Sequence, residues 1–271
     1  MTVPKDLVQS WLPYRREKDS CELRLWTFHW FGASASAYGT WEWCMSDEVE
    51  LCAVQLPGRE DRKDQSPYRS VKDAASDLVE NLKPMFAEKP YALFGHSSGS
   101  WIAYEVALAL RREGLPAPSI FIVSDFPAPQ TPLDLRPWKV SKDLSEKEFQ
   151  QEVLGWGLPE VLFQKNTWSL FAPLLRDEFA QFDEYEFNAD DEPLACPISA
   201  YLSQEDPKVG PKGGNPELME GWASLSTHLH MSVDVFFGNH FYLQDSVIQK
   251  EVAKTIGERM TKLADLLTFD F

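Results

Sequence analysis

The run Tyr91-Ala-Leu-Phe-Gly95-His96-Ser97-Ser98-Gly99-Ser100 leaves few folds open to this chain. An apolar, β-prone stretch enters G-x-S-x-G and passes without a spacer into a segment, Ser100–Arg112, whose apolar residues recur at helical spacing. A strand that turns so sharply into a helix forces the residue at its apex into strained dihedrals, and flanking residues without side chains let neighbouring backbone approach. Gly95 and Gly99 meet that demand. The Ser97 hydroxyl is then presented above a sheet edge, beside free helix N-terminal N–H groups that favour negative charge on an attacked carbonyl oxygen. Ser97 is therefore the candidate nucleophile, and the N–H of Ser98 the first candidate oxyanion donor. The second donor is expected from the small, glycine-bearing loop Phe28–Ser36.

Other β-prone runs bounded by turn residues are Leu23–Trp30, Val49–Gln55, Ser119–Ser124, Ile198–Leu202 and Ser232–Phe237, with Tyr91–Phe94 the third in chain order. Helical spacing fills Val71–Phe86, Ser100–Arg112 and Ser246–Leu267. Strands alternating with helices imply an α/β fold with a mostly parallel central sheet flanked by helices. At 271 residues, 44% of them hydrophobic, the chain can bury this as one domain, 1–271. Residues 131–192 break the alternation: the stretch is long, helical in pattern and without a convincing strand. We expect an inserted helical lid, whose Phe149, Val153, Trp156, Trp168, Leu175 and Phe179 pack on the sheet or line an acyl pocket.

A serine hydroxyl needs a base, and the base needs a third group to fix its tautomer. Among five histidines, His240 follows the last strand in Gly238-Asn239-His240-Phe241, at the carboxyl end where open α/β sheets place reactive groups. His228 and His230 precede that strand on the far side, His96 is expected to support the turn, and His29 to pack in the first loop. For the acid, Asp206 ends the fifth strand in Glu205-Asp206-Pro207, giving the chain order serine, acid, histidine. Asp125, directly after the fourth strand, is the rival.

The formal charge of −16 argues against nucleic acid and anionic membrane surfaces as partners. No run is long enough for a signal peptide core or a membrane span, so a cytoplasmic protein is expected. Cys21, Cys44, Cys52 and Cys196 are scattered without C-x-x-C spacing, as suits a reducing compartment, and neither a metal site nor a cofactor is suggested. Arg59, Arg62, Lys63, Arg69 and Lys72 form a candidate basic patch, with bracing of the fold by Arg59 and Arg62 as the other reading. Ten acidic residues and no Lys or Arg lie between Asp177 and Asp206, read as a solvated surface.

At this point the chain resembles the type II thioesterases of nonribosomal peptide and polyketide synthases, which have the α/β-hydrolase fold. The resemblance rests on Phe28–Ser36, Leu56-Pro57-Gly58-Arg59-Glu60-Asp61-Arg62, Gly95–Gly99, Leu175-Arg176-Asp177-Glu178-Phe179, Glu205-Asp206-Pro207 and Gly238-Asn239-His240-Phe241. It implies hydrolysis of acyl groups from the phosphopantetheine arm of acyl or peptidyl carrier proteins, by a triad of Ser97, Asp206 and His240. It implies also that Phe31 joins Ser98 in the oxyanion hole. The family loop usually reads F-P-x-A-G-G, whereas this chain has His29, Phe31 and Ala33 at the Pro, Ala and second Gly positions. Two other readings use the same residues: an acyltransferase or cyclising release enzyme, and a non-catalytic acyl-carrier-binding protein on a hydrolase scaffold.

Overall fold

All six apolar runs are strands, and in the computed structural model, which describes residues 2–158 and 160–268, they form one sheet: β1 (Leu23–Phe28), β2 (Val49–Ala53), β3 (Tyr91–His96), β4 (Ile120–Ser124), β5 (Ile198–Ser203) and β6 (Ser232–Phe236). Its order is β2-β1-β3-β4-β5-β6 and every pairing is parallel, so the expected "mostly parallel" sheet is wholly parallel. Every residue of β1 to β5 is buried, because helices cover both faces. The helices are α1 (Lys5–Trp11), α2 (Val71–Glu88), α3 (Gly99–Arg112), α4 (Glu146–Leu154), α5 (Lys165–Asp183), the short α6 (Glu217–Glu220) and α7 (Ser246–Thr268). The buried charges Arg24 and Glu50, neighbours on β1 and β2, are tolerable because they pair at 2.8 Å.

Strand ends differ from the apolar runs where backbone hydrogen bonding decides them. The first run stops being a strand at Phe28, and Trp30 turns its carbonyl to the Ala33 N–H instead (3.0 Å). The third run continues past Phe94, since Gly95 and His96 still pair with Val123 and Ser124 of β4 whatever their side chains. The last run is the exposed edge strand β6, which ends one residue before Phe237.

The topology decides where chemistry can occur. From β1 the chain steps outward to β2, then crosses back to place β3 on β1's other side, so the connections leaving β1 and β3 diverge. A crevice opens at the carboxyl ends of such neighbouring strands. The loop after β1 and the turn after β3 both lie there. Helices α4 and α5, the long elements of residues 131–192, contribute Val153, Leu175 and Phe179 to the walls of the same crevice.

Candidate active site

Ser97 stands at the apex between β3 and α3 with φ +51°, a left-handed conformation that costs a non-glycine residue energy and persists only when its surroundings fix it. Here the Ser97 N–H is held by the Ser124 carbonyl of β4 (2.8 Å). The flanking glycines permit the turn. A Cβ on Gly99 would lie 2.1 Å from the Phe28 carbonyl oxygen, and one on Gly95 2.4 Å from the Ser100 Cα. Backbone, not a flexible side chain, blocks both. Gly99→Ala is expected to lose about 3 kcal/mol or more of stability. Urea denaturation checks this, and an unchanged midpoint would contradict the close packing.

The three residues picked from sequence as nucleophile, base and acid meet at the crevice. His240 Nε2 is 2.9 Å from Ser97 Oγ, and His240 Nδ1 is 2.5 Å from Asp206 Oδ2. All three are buried, at 2% exposure or less. The other Asp206 oxygen accepts from the Lys208 N–H (2.6 Å) and Val209 N–H (2.8 Å), which fixes the carboxylate plane. Burial alone would push the Asp206 carboxyl up. The charge and hydrogen bond of His240, with those two backbone donors, outweigh it and hold the carboxyl below its usual range.

Asp125 has not been carried away from this network. Its carboxylate, that of Asp206 and the His240 ring offer atoms all within 4.8 Å of one another. One Asp125 oxygen accepts from the Ser203 N–H (2.8 Å), while the other is buried without a hydrogen-bond partner. Burial, and then the neighbouring Asp206 charge, push this carboxyl well above the usual range, toward its neutral form. Of the two aspartates, only Asp206 is hydrogen-bonded to His240.

Neither the Phe31 nor the Ser98 N–H donates to an acceptor among the described residues; Phe31 lies in the wall of the crevice, and Ser98 lines an adjoining pocket that Phe31 also lines. His96 accepts or donates at Ser124 Oγ (2.8 Å) and packs beside the His240 ring (5.1 Å). His228 and His230 are exposed. His29 is buried against Arg59. From Ser97 the crevice continues into a chamber of about 170 Å³, and the two share Trp30, Phe31, Val153, Leu158 and Leu175. The described chamber lining carries no charged residue. The helical residues noted in the sequence, Phe149, Val153, Trp156, Trp168, Leu175 and Phe179, are all buried.

The fold decides two charge readings. Of the two open for Arg59 and Arg62, bracing of the fold is the one found: both are buried, Arg59 pairs with Glu178 at 2.7 Å, and Arg62, without an ion pair among the described residues, lies over the Trp11 ring and donates to the Gln55 carbonyl (2.8 Å). The solvated acidic run likewise contains buried members, Glu178, Asp183 and Asp206, each serving backbone or side-chain donors. Composition reports the sign of a stretch, and only the fold reports which charges face inward.

Comparison with known proteins gives a consistent answer. The family description "Thioesterase domain" matches residues 23–260. The gramicidin S biosynthesis protein GrsT of Aneurinibacillus migulanus is 30% identical over 241 residues, covering 88% of this chain and 90% of that protein. The medium-chain S-acyl fatty acid synthase thioesterase of Homo sapiens is 26% identical over 239 residues, 86% of this chain and 85% of that one. Among solved structures, the RedJ thioesterase from the prodiginine pathway of Streptomyces coelicolor superposes with a TM-score of 0.78 at 29% identity, covering 90% of this chain and 93% of that chain. A parallel sheet bearing a serine elbow, matched over nearly its whole length by such relatives, means that this chain belongs to the thioesterase family.

Proposed function

We propose that this protein is a serine thioesterase that hydrolyses acyl groups from the phosphopantetheine arm of acyl or peptidyl carrier proteins, in peptide or polyketide biosynthesis. The observation that carries the reading is the Ser97–His240–Asp206 relay opening onto an uncharged chamber. The relatives support the setting, since GrsT is named for gramicidin S biosynthesis and RedJ is a thioesterase of the prodiginine biosynthetic pathway.

A thioester carbonyl is weakly stabilised by resonance and its thiolate leaves readily, so attack and oxyanion stabilisation carry most of the barrier. His240 Nε2 takes the Ser97 proton as Oγ attacks the carbonyl carbon. The Phe31 and Ser98 N–H groups receive the oxyanion. Collapse expels the pantetheine thiolate, which takes the proton from His240, and leaves an acyl-serine. Water, deprotonated by His240, then releases the carboxylic acid. Asp206 keeps the imidazole proton on Nδ1 and stabilises the imidazolium. In this reading residues 131–192 are the lid, and the chamber beneath them takes the acyl chain. Unpaired thiols at all four cysteines accord with a cytoplasmic setting.

The test is mass-spectrometric hydrolysis of acetyl, butyryl and hexanoyl groups from a phosphopantetheinylated carrier protein, beside the same acyl groups on coenzyme A. Faster release from the carrier supports the reading. Release from coenzyme A alone would reject carrier specificity, and transfer to an added alcohol or amine instead of water would identify an acyltransferase.

A further inference from the structure

The segments Leu56–Arg62 and Leu175–Phe179 stand far apart in sequence, and neither supplies a triad residue. They meet in space at the loop after β1. Residues Trp30 to Ala33 form a turn closed by the Ala33 N–H on the Trp30 carbonyl (3.0 Å), with Gly32 at φ +70° as the third residue of such a turn requires. The Trp30–Phe31 peptide is trans, so a carbonyl committed to Ala33 leaves the Phe31 N–H pointing the opposite way. Whatever holds this turn therefore holds that N–H.

Glu178 and Arg59 hold it from both sides. Glu178 Oε2 accepts from the Gly32 N–H (2.7 Å) and Oε1 from Arg59 Nη2 (2.7 Å), while Arg59 Nη1 donates to the Ala33 carbonyl (2.8 Å). Their exposures are 7% and 8%. A buried ion pair is a poor source of stability, because desolvation offsets most of its attraction, so its placement calls for another explanation. His29 completes the frame. Its Nδ1 is 3.1 Å from the Trp30 carbonyl oxygen, and burial, with the Arg59 charge, keeps the ring neutral.

We infer that Arg59 and Glu178 are positioning residues for the oxyanion hole, and that through Glu178 they make its assembly depend on where helix α5 sits. This rests on the thioesterase reading given above. Leu175, Glu178 and Phe179 lie on one face of α5. A Cβ on Gly32 would come within 3.1 Å of Leu175, and the Phe179 ring stacks on that of Phe31 (4.5 Å between centroids). Leu175 is also a wall of the acyl chamber. Displacement of α5 withdraws the carboxylate from Gly32, and an acyl chain packed on Leu175 favours the position in which the carboxylate is engaged. Occupancy of the chamber is thus linked to the readiness of the Phe31 N–H.

The test compares wild type, Ser97→Ala, Glu178→Gln and Arg59→Lys on a hexanoyl-pantetheine thioester. Glutamine keeps the shape of Glu178 but turns one acceptor into a donor facing Gly32 or Arg59. Losing one oxyanion donor outright costs about 100- to 1,000-fold in kcat, so misplacing it is expected to cost about 10- to 100-fold, with KM within about threefold. Affinity for an alkyl boronic acid, which forms the tetrahedral adduct on Ser97, should fall by the same factor. Arg59→Lys, which keeps the charge but cannot span both acceptors, should show a smaller loss of the same kind and covers the case in which Glu178→Gln does not fold. Unchanged kcat, or a kcat loss without loss of boronate affinity, would overturn the inference. Turnover that survives in Ser97→Ala would instead overturn the thioesterase reading, and the inference with it.

Discussion

Replacement of Ser97 by Ala is expected to lower kcat for thioester hydrolysis by about 10⁴- to 10⁶-fold while leaving KM within a fewfold. Among the described residues this hydroxyl is the only nucleophile in hydrogen-bond contact with His240 Nε2, at 2.9 Å, and without it no acyl-enzyme forms. Whatever rate remains comes from oxyanion donors acting on a water molecule, which must find its own attack position. KM is expected to move little because, in the proposed function, the acyl chain lies against the chamber walls rather than on the hydroxyl. The variant should fold, since Ala keeps the Cβ already accommodated at φ +51°. Steady-state hydrolysis, with intact-mass detection of the acyl-serine in wild type, measures the effect. More than about 1% residual activity would remove Ser97 from the mechanism.

The second large effect separates the two aspartates. Asp206→Asn is expected to reduce kcat by about 10³- to 10⁴-fold, and Asp125→Asn by less than about tenfold. The backbone donors explain the first figure. The Lys208 and Val209 N–H groups retain the one oxygen left to the substituted side chain, so its NH₂ must face His240 Nδ1. That forces the imidazole proton onto Nε2, which can then no longer accept from Ser97. The Asp125 carboxyl is pushed toward its neutral form and is hydrogen-bonded to the Ser203 N–H rather than to His240, so an amide is expected to be nearly equivalent there. A greater loss in Asp125→Asn would move the acid to the end of β4.

The pH dependence of stability tests the same environment. Asp125 has a folded pKa raised above its unfolded value of about 3.8, so the native state keeps a proton that the unfolded chain releases. That contribution is fully favourable below the unfolded pKa and is lost as pH rises toward the folded one. Relative to wild type, Asp125→Asn should therefore gain stability from pH 4 upward, by up to about 1.4 kcal/mol per pH unit. Urea denaturation at pH 4.5 and 7 reads the difference, and a constant offset between the two proteins would show that Asp125 ionises normally.

Much of this was legible in the chain alone because it is written in short-range terms. The strands and helices follow from residue periodicity. Gly95, Ser97 and Gly99 mark the turn because only small residues allow that backbone to pass beneath Phe28. His240 was found by its place after a strand, and the parallel order of the sheet set the carboxyl ends of β3, β5 and β6 on one side. The sequence favoured Asp206 over Asp125 on chain order and position alone. Both follow strands and both reach the same few ångströms. What separates them is a hydrogen bond to His240 and the desolvation around each carboxyl, quantities that exist only once β4, β5 and the loop after β6 are packed. Charge shows the limit most plainly. By sequence Arg59 could equally belong to a basic patch or brace the fold, and Glu178 was read into an acidic surface. Residues 119 positions apart become a buried pair on the Gly32 loop because folding brings them to 2.7 Å, and the direction a charge faces is a property of packing, not of residue type.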